Sequence, residues 1–152
     1  MHELDDQLLI TLHLFPLPYH YHAFQVAQAA QAMGQHHVWT WMEAVFQNQD
    51  ALSNEATTNM TFPQLQLLMN SIAVNSGIPS GIIEESTARG YDLKARASWK
   101  YGCYRSVFGT PTFHVNGIVM NDEAASWNAA TWLSFLNGLV HDETTSQFQV
   151  LY

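Results

Sequence analysis

A single cysteine, Cys103, stands in the 152 residues of this chain. One thiol forms no disulfide within the chain and no Cys-x-x-Cys pair, which excludes a disulfide scaffold and any dithiol redox cycle run by this chain alone. Basic residues are scarce too: five Lys and Arg stand against thirteen Asp and Glu, for a formal charge of -8. Such a chain repels phosphate backbones and anionic bilayers, so neither nucleic acid nor membrane is an expected partner. No apolar run is long enough to span a bilayer. The acidic N-terminus has no basic region ahead of its first apolar run, so it does not read as a secretory leader. No repeat or low-complexity linker interrupts the chain.

A hydrophobic content of 47% describes a globular protein. A chain of this length withdraws about two-thirds of its unfolded surface into one core. The five basic residues, Arg89, Lys94, Arg96, Lys100 and Arg105, all fall in one short segment. They read as the basic face of a helix, with a docking patch for an acidic partner as the alternative. Asn59-Met60-Thr61 is a glycosylation sequon, but one such triplet in this length is close to chance.

Leu8 to Phe15 is apolar and rich enough in β-formers for a strand, which Pro16 and Pro18 end. Ala23 to Met33 is made almost entirely of good helix formers, with Gly34 placed as a C-terminal cap. His36-His37 reads as a turn. Val38, Trp41, Met42, Val45 and Phe46 then share one helical face. Thr61-Phe62-Pro63-Gln64 is a capping box, opening a helix with Leu65, Leu68, Met69, Ile72 and Ala73 on its apolar side. Gly77 and Pro79 stop it, and Gly90 ends a short helix carrying Ile82 and Ile83. A further helix is predicted from Tyr91 to Arg105. A last amphipathic helix carries Trp132, Phe135, Leu136 and Leu139. No element is assigned from Asp142 to Tyr152.

The run Val107 to Gly117 is the most informative stretch. Proline donates nothing to a sheet ladder, so Pro111 belongs at the head of a strand or in a special turn. Asn116-Gly117 supplies the positive φ angles of a tight hairpin, so Thr112 to Val115 should pair antiparallel with Ile118 to Asn121. The Thr110-Pro111 bond is a candidate cis peptide.

Taken together these motifs resemble the DsbA-like thiol-disulfide oxidoreductases of the thioredoxin fold. Gly109-Thr110-Pro111 resembles that family's cis-proline loop. Phe15 to Ala23 is similar to the end of its second core strand and the start of its second core helix. Trp41 to Leu52 resembles the opening of its inserted helical domain, and Trp99-Lys100-Tyr101-Gly102 the return to the core. The resemblance implies an α/β, thioredoxin-like fold: one domain over 1–152, with core parts 8–34 and 107–141 and a helical insertion 35–106. It also implies an extracytoplasmic or secretory compartment. In the family, a first strand, the Cys-x-x-Cys or Cys-x-x-Ser turn and a helix all precede the Phe-Pro-Leu strand. Only Met1 to Gln7 precede it here, and at about 3.3 Å per residue they supply one short strand at most. The expectation is an N-terminally truncated form, inactive in redox catalysis and without a cofactor.

The resemblance implies that Thr110, Pro111 and Thr112 contact a polypeptide substrate or partner as an added strand. A non-catalytic binding module built on that loop is the alternative to a truncated oxidoreductase. Loss of the first strand would leave sheet edges bare, to be closed by direct pairing, by Met1 to Gln7, or by another chain, either a partner or a second copy in a homodimer. Cys103, late in a helix, is expected to be packed and inert, with a reactive thiol as the alternative. His20 and His22 share an i, i+2 spacing, which gives a metal reading. With no Cys or carboxylate at ligand spacing to complete the set, bonding at a helix start is preferred. His13 and His114 are placed on strands.

Overall fold

Between Ala23 and Gln47 alanine and glutamine recur, and this stretch forms helix α1 (Ala23–Gln47) in the computed structural model, which describes residues 8–141. Gly34 interrupts it with φ 60° and ψ -169°, a conformation open essentially to glycine alone. The interruption has a measurable consequence. The indole Nε1 of Trp41 donates to the carbonyl of Val26 at 3.2 Å. Residues fifteen apart in a straight helix are about 22 Å apart along the axis. The contact therefore requires the second arm of α1 to fold back on the first. The two helices expected on either side of Gly34 are these two arms, whereas His36 and His37 are helical rather than a turn.

The described residues group into two compact units, 13–109 and 8–12 with 110–141. The first is helical: α1, α2 (Asn54–Thr57), α3 (Phe62–Asn75), α4 (Ile82–Glu85) and α5 (Arg89–Tyr104). Its core joins Trp41, Met33 and three alanines of α1 to Leu65, Met69 and Ile72 of α3, closed by Ile78 and Ile83. Trp41 is wholly buried. The capping box at α3 forms: Gln64 Oε1 accepts from the Thr61 backbone N–H at 2.8 Å and from its hydroxyl at 2.9 Å. Asn54 fastens the loop ahead of α1, accepting from the Tyr21 N–H and donating to the Tyr19 carbonyl, both at 2.8 Å.

Helix α5 ends in a Schellman turn. Ser106 N–H donates to the Cys103 carbonyl and Val107 N–H to the Gly102 carbonyl, each at 3.0 Å, with Ser106 at φ 59°. Gly90 lies inside the first turn of α5 instead of ending the preceding helix.

In the second unit, β1 (His114–Val115) and β2 (Ile118–Val119) form an antiparallel hairpin, with His114 opposite Val119 and Val115 opposite Ile118. Asn116 and Gly117 turn it at φ 48° and 81°, as their sequence predicts. A 3-10 helix (Asp122–Ser126) leads to α6 (Ala129–His141), whose Thr131 N–H is capped by Asn128 Oδ1 at 2.9 Å. Phe113, Trp127, Trp132 and Phe135 pack at ring separations of 4.9–6.2 Å under the hairpin.

The expected α/β thioredoxin-like core is not formed. The protein is mostly helical, and the two-residue strands β1 and β2 make the one sheet among the described residues. The segment Leu8 to Phe15, expected as a strand, has no regular structure. A strand exists only with a neighbour to complete its hydrogen bonds. Here Leu14 and Phe15 lie on a helix instead: the Ser98 hydroxyl donates to the Leu14 carbonyl at 3.3 Å. Phe15 presses against Gly102 and stacks on Trp99, and the His13 ring stacks on Tyr101 at 4.9 Å rather than sitting in a sheet. Met1 to Gln7 and Asp142 to Tyr152 lie outside the described residues, and with them the idea that the first seven complete a sheet.

Candidate functional site

The segment leading into the hairpin places the residues singled out for polypeptide binding. The Thr110-Pro111 bond is cis. Thr110 and Pro111 are exposed and Thr112 is half-buried, immediately before Phe113 enters the aromatic cluster. The Met120 N–H donates to the Phe113 carbonyl at 2.8 Å, which fixes Phe113 and Met120 as a bonded pair. Alternation along an antiparallel ladder then makes His114 and Val119 the non-bonded pair, so their backbone N–H and C=O groups point away from the partner strand. Neither outer edge has a further strand among the described residues. Ile118 and Val119 expose 71% and 57% of their surface, an unusual state for β-branched residues in a sheet. His114 is exposed as well.

Cys103 belongs to the other unit and sits in the last turn of α5. It is exposed, not packed. The buried stripe of α5 is Ala95 and Gly102, spaced seven apart. One residue further on, the side chain turns about 100° and leaves that stripe. Tyr101 and Tyr104 beside it are exposed too.

His20 is exposed in the turn before α1, its ring 4.9 Å from that of Tyr19. His22 is the N-cap residue of α1, yet its side chain makes no capping bond, and its Nδ1 is buried without a partner, as is Gln25 Oε1. The expected imidazole bond at the helix start is therefore not made by His22. No group of three or more His, Cys, Asp or Glu side chains is arranged to hold a metal among the described residues.

The basic segment does lie on α5, with Arg105 as its C-cap. At 100° per residue, Arg89, Arg96 and Lys100 form one row and Lys94 and Arg105 another, so the charge does not make a single face. Arg96 is engaged by Asp92 at 2.8 Å and lies 4.8 Å from the Phe24 ring centroid. The paired guanidinium holds the Asp92 carboxyl below its ordinary range.

An open groove of about 390 Å³, unmarked in the sequence reading, runs over Gln66, Leu67 and Asn70 of α3 and Ile83 of α4. No helix among the described residues is long and apolar enough to cross a membrane. No protein-family model, no curated protein and no solved structure matches the chain.

Proposed function

We propose that this chain is a non-catalytic polypeptide-binding module, whose binding element is the Phe113–Met120 hairpin with Thr110, Pro111 and Thr112 at its root. One observation carries the reading. The outer edge of β2 presents the outward N–H and C=O of Val119, flanked by the bare apolar side chains of Ile118 and Val119. Such an edge binds an extended segment by adding it as a strand: main-chain bonds hold it, and side chains on alternate positions select it. The resemblance of Gly109-Thr110-Pro111 to a substrate-contacting loop supports polypeptide as the class of ligand. The single cysteine leaves no dithiol for exchange within the chain.

The test is fluorescence polarisation with labelled, reduced and carboxymethylated lactalbumin, a chain without stable structure. The wild-type protein is expected to bind it. Val119→Pro removes an edge N–H that serves no ladder bond, and should weaken binding about tenfold with the far-UV spectrum unchanged. Leu67→Lys, on the outer face of α3, should leave binding as it is. No binding by the wild-type protein, or equal binding by Val119→Pro, would sink the reading.

A further inference from the structure

The same unit that holds the bare hairpin edge also holds a bare segment suited to it. Leu8 to Leu12 has no regular structure, and Leu9 and Ile10 expose 89% and 68% of their surface. Leu-Leu-Ile-Thr-Leu has strong strand propensity, and in extended form it places Leu8, Ile10 and Leu12 on one side. Among the described residues, an apolar strand-former and a strand edge, each without a strand neighbour, occur in one chain.

We infer that Leu8–Leu12 of one copy adds to the β2 edge of a second copy, and reciprocally, in a two-fold homodimer. This rests on the strand-addition reading of the hairpin and names its occupant. Three features favour a second copy. First, the segment belongs to the same unit as the hairpin, yet no backbone hydrogen bond joins the two among the described residues, so the chain does not pair them itself. Another copy brings the same segment free of that tether.

Second, the charges agree. Residues 8–12 and 113–120 carry no Asp, Glu, Lys or Arg in a chain of charge -8, so these surfaces meet without setting like charges against each other. Third, the area suffices. Leu9, Ile10, Ile118 and Val119 each present on the order of 100 Å² of apolar surface. Doubled by the two-fold axis, and with the backbone of the added strands, they approach roughly 1,000 Å², the low end for a specific interface. An interface at that low end of the size range belongs with weak, concentration-dependent association.

Reciprocity supplies a sharp test by sedimentation. At a high loading concentration, about 100 µM, where weak association is populated, the wild-type protein should be dimeric. Ile10→Lys spoils the segment and Val119→Pro spoils the edge, so each variant alone should be monomeric. An equimolar mixture keeps one good segment and one good edge, and should partly restore the dimer. If Ile10→Lys does not fold, Leu9→Lys takes its place, since that side chain is almost wholly exposed. A monomeric wild type, or a dimer indifferent to both variants, overturns the proposal, as does a mixture that restores nothing.

A second readout separates this proposal from the reading beneath it. The Ile10→Lys protein, with its edge free, is titrated with a synthetic peptide of residues 8–12 carrying terminal lysines. Binding of that peptide supports the assignment. Binding of carboxymethylated lactalbumin without binding of the peptide removes self-pairing and leaves strand addition standing. Binding of neither removes both.

Discussion

Three glycines offer the same substitution, Gly→Ala, in three physical settings, and the structure assigns each a different result. Gly90 lies in the first turn of α5 with nothing within 4 Å of an added Cβ. Alanine there lowers the entropy of the unfolded chain without strain, so Gly90→Ala should stabilise by about 0.4–1 kcal/mol. Gly34 is equally open, but its φ of 60° with ψ -169° is a conformation that alanine reaches only at a cost of about 1–3 kcal/mol. Gly34→Ala should destabilise by that amount, because straightening α1 to relieve it would pull Trp41 away from Val26. Gly102 has room for neither choice: an added Cβ would stand 2.6 Å and 3.0 Å from two ring atoms of Phe15. The gain in helix propensity, about 1 kcal/mol, is set against overpacking of about 1–3 kcal/mol. The net effect is a loss of up to about 2 kcal/mol. Urea unfolding followed by tryptophan fluorescence measures all three through the transition midpoint. In a Phe15→Leu background the Gly102→Ala penalty should shrink, which a double-mutant cycle reads as coupling. A stabilising Gly34→Ala would refute the folded-back helix, and a stabilising Gly102→Ala would refute the seating of Phe15 on α5.

Trp41→Ala empties the largest buried side chain of the helical unit, and should cost about 3–5 kcal/mol; a loss below 1.5 kcal/mol, roughly the most that a tolerated apolar swap costs, would show that the site is not the core. Ser106→Gly should stabilise by roughly 1 kcal/mol in the same urea assay, since φ 59° is costly for a residue with a Cβ. Asn54→Asp replaces the donor to the exposed Tyr19 carbonyl with a carboxylate oxygen; thermal unfolding should show a loss of about 0.5–1.5 kcal/mol. Arg96, donating to Asp92 at 2.8 and 3.0 Å, lowers that carboxyl below its ordinary 3.8. The folded value lies below the unfolded one, so the pair's small contribution is complete above the unfolded value and vanishes as pH falls through the folded one. Carboxyl titration by NMR should find Asp92 low in the wild type and nearer 3.8 in Arg96→Gln.

The features that were legible in the sequence are those whose physics is local. Gln64 caps α3 because its side chain reaches back to the Thr61 backbone N–H and hydroxyl three residues away. Asn116-Gly117 turns the hairpin because those two residues tolerate positive φ. Leu8–Phe15 shows the opposite case. Its composition favours a strand, but a strand is a relation between two segments, and the segment's last residues found α5 first. Cys103 was misjudged for a related reason. Helical periodicity says that α5 buries one stripe, and the small residues Ala95 and Gly102 define it, which leaves Cys103 outside.

The sequence by itself determined the longer helices, the α3 capping box, the Gly34 break and the Asn-Gly turn, since each depends on side chains a few residues apart. It also determined that this chain holds one thiol. Tertiary structure alone decided that the arms of α1 close on Trp41, that Phe15 rests on Gly102, and that β1 and β2 pair with no further strand among the described residues. Those outcomes depend on which distant surfaces meet, and burial, not local propensity, sets that choice.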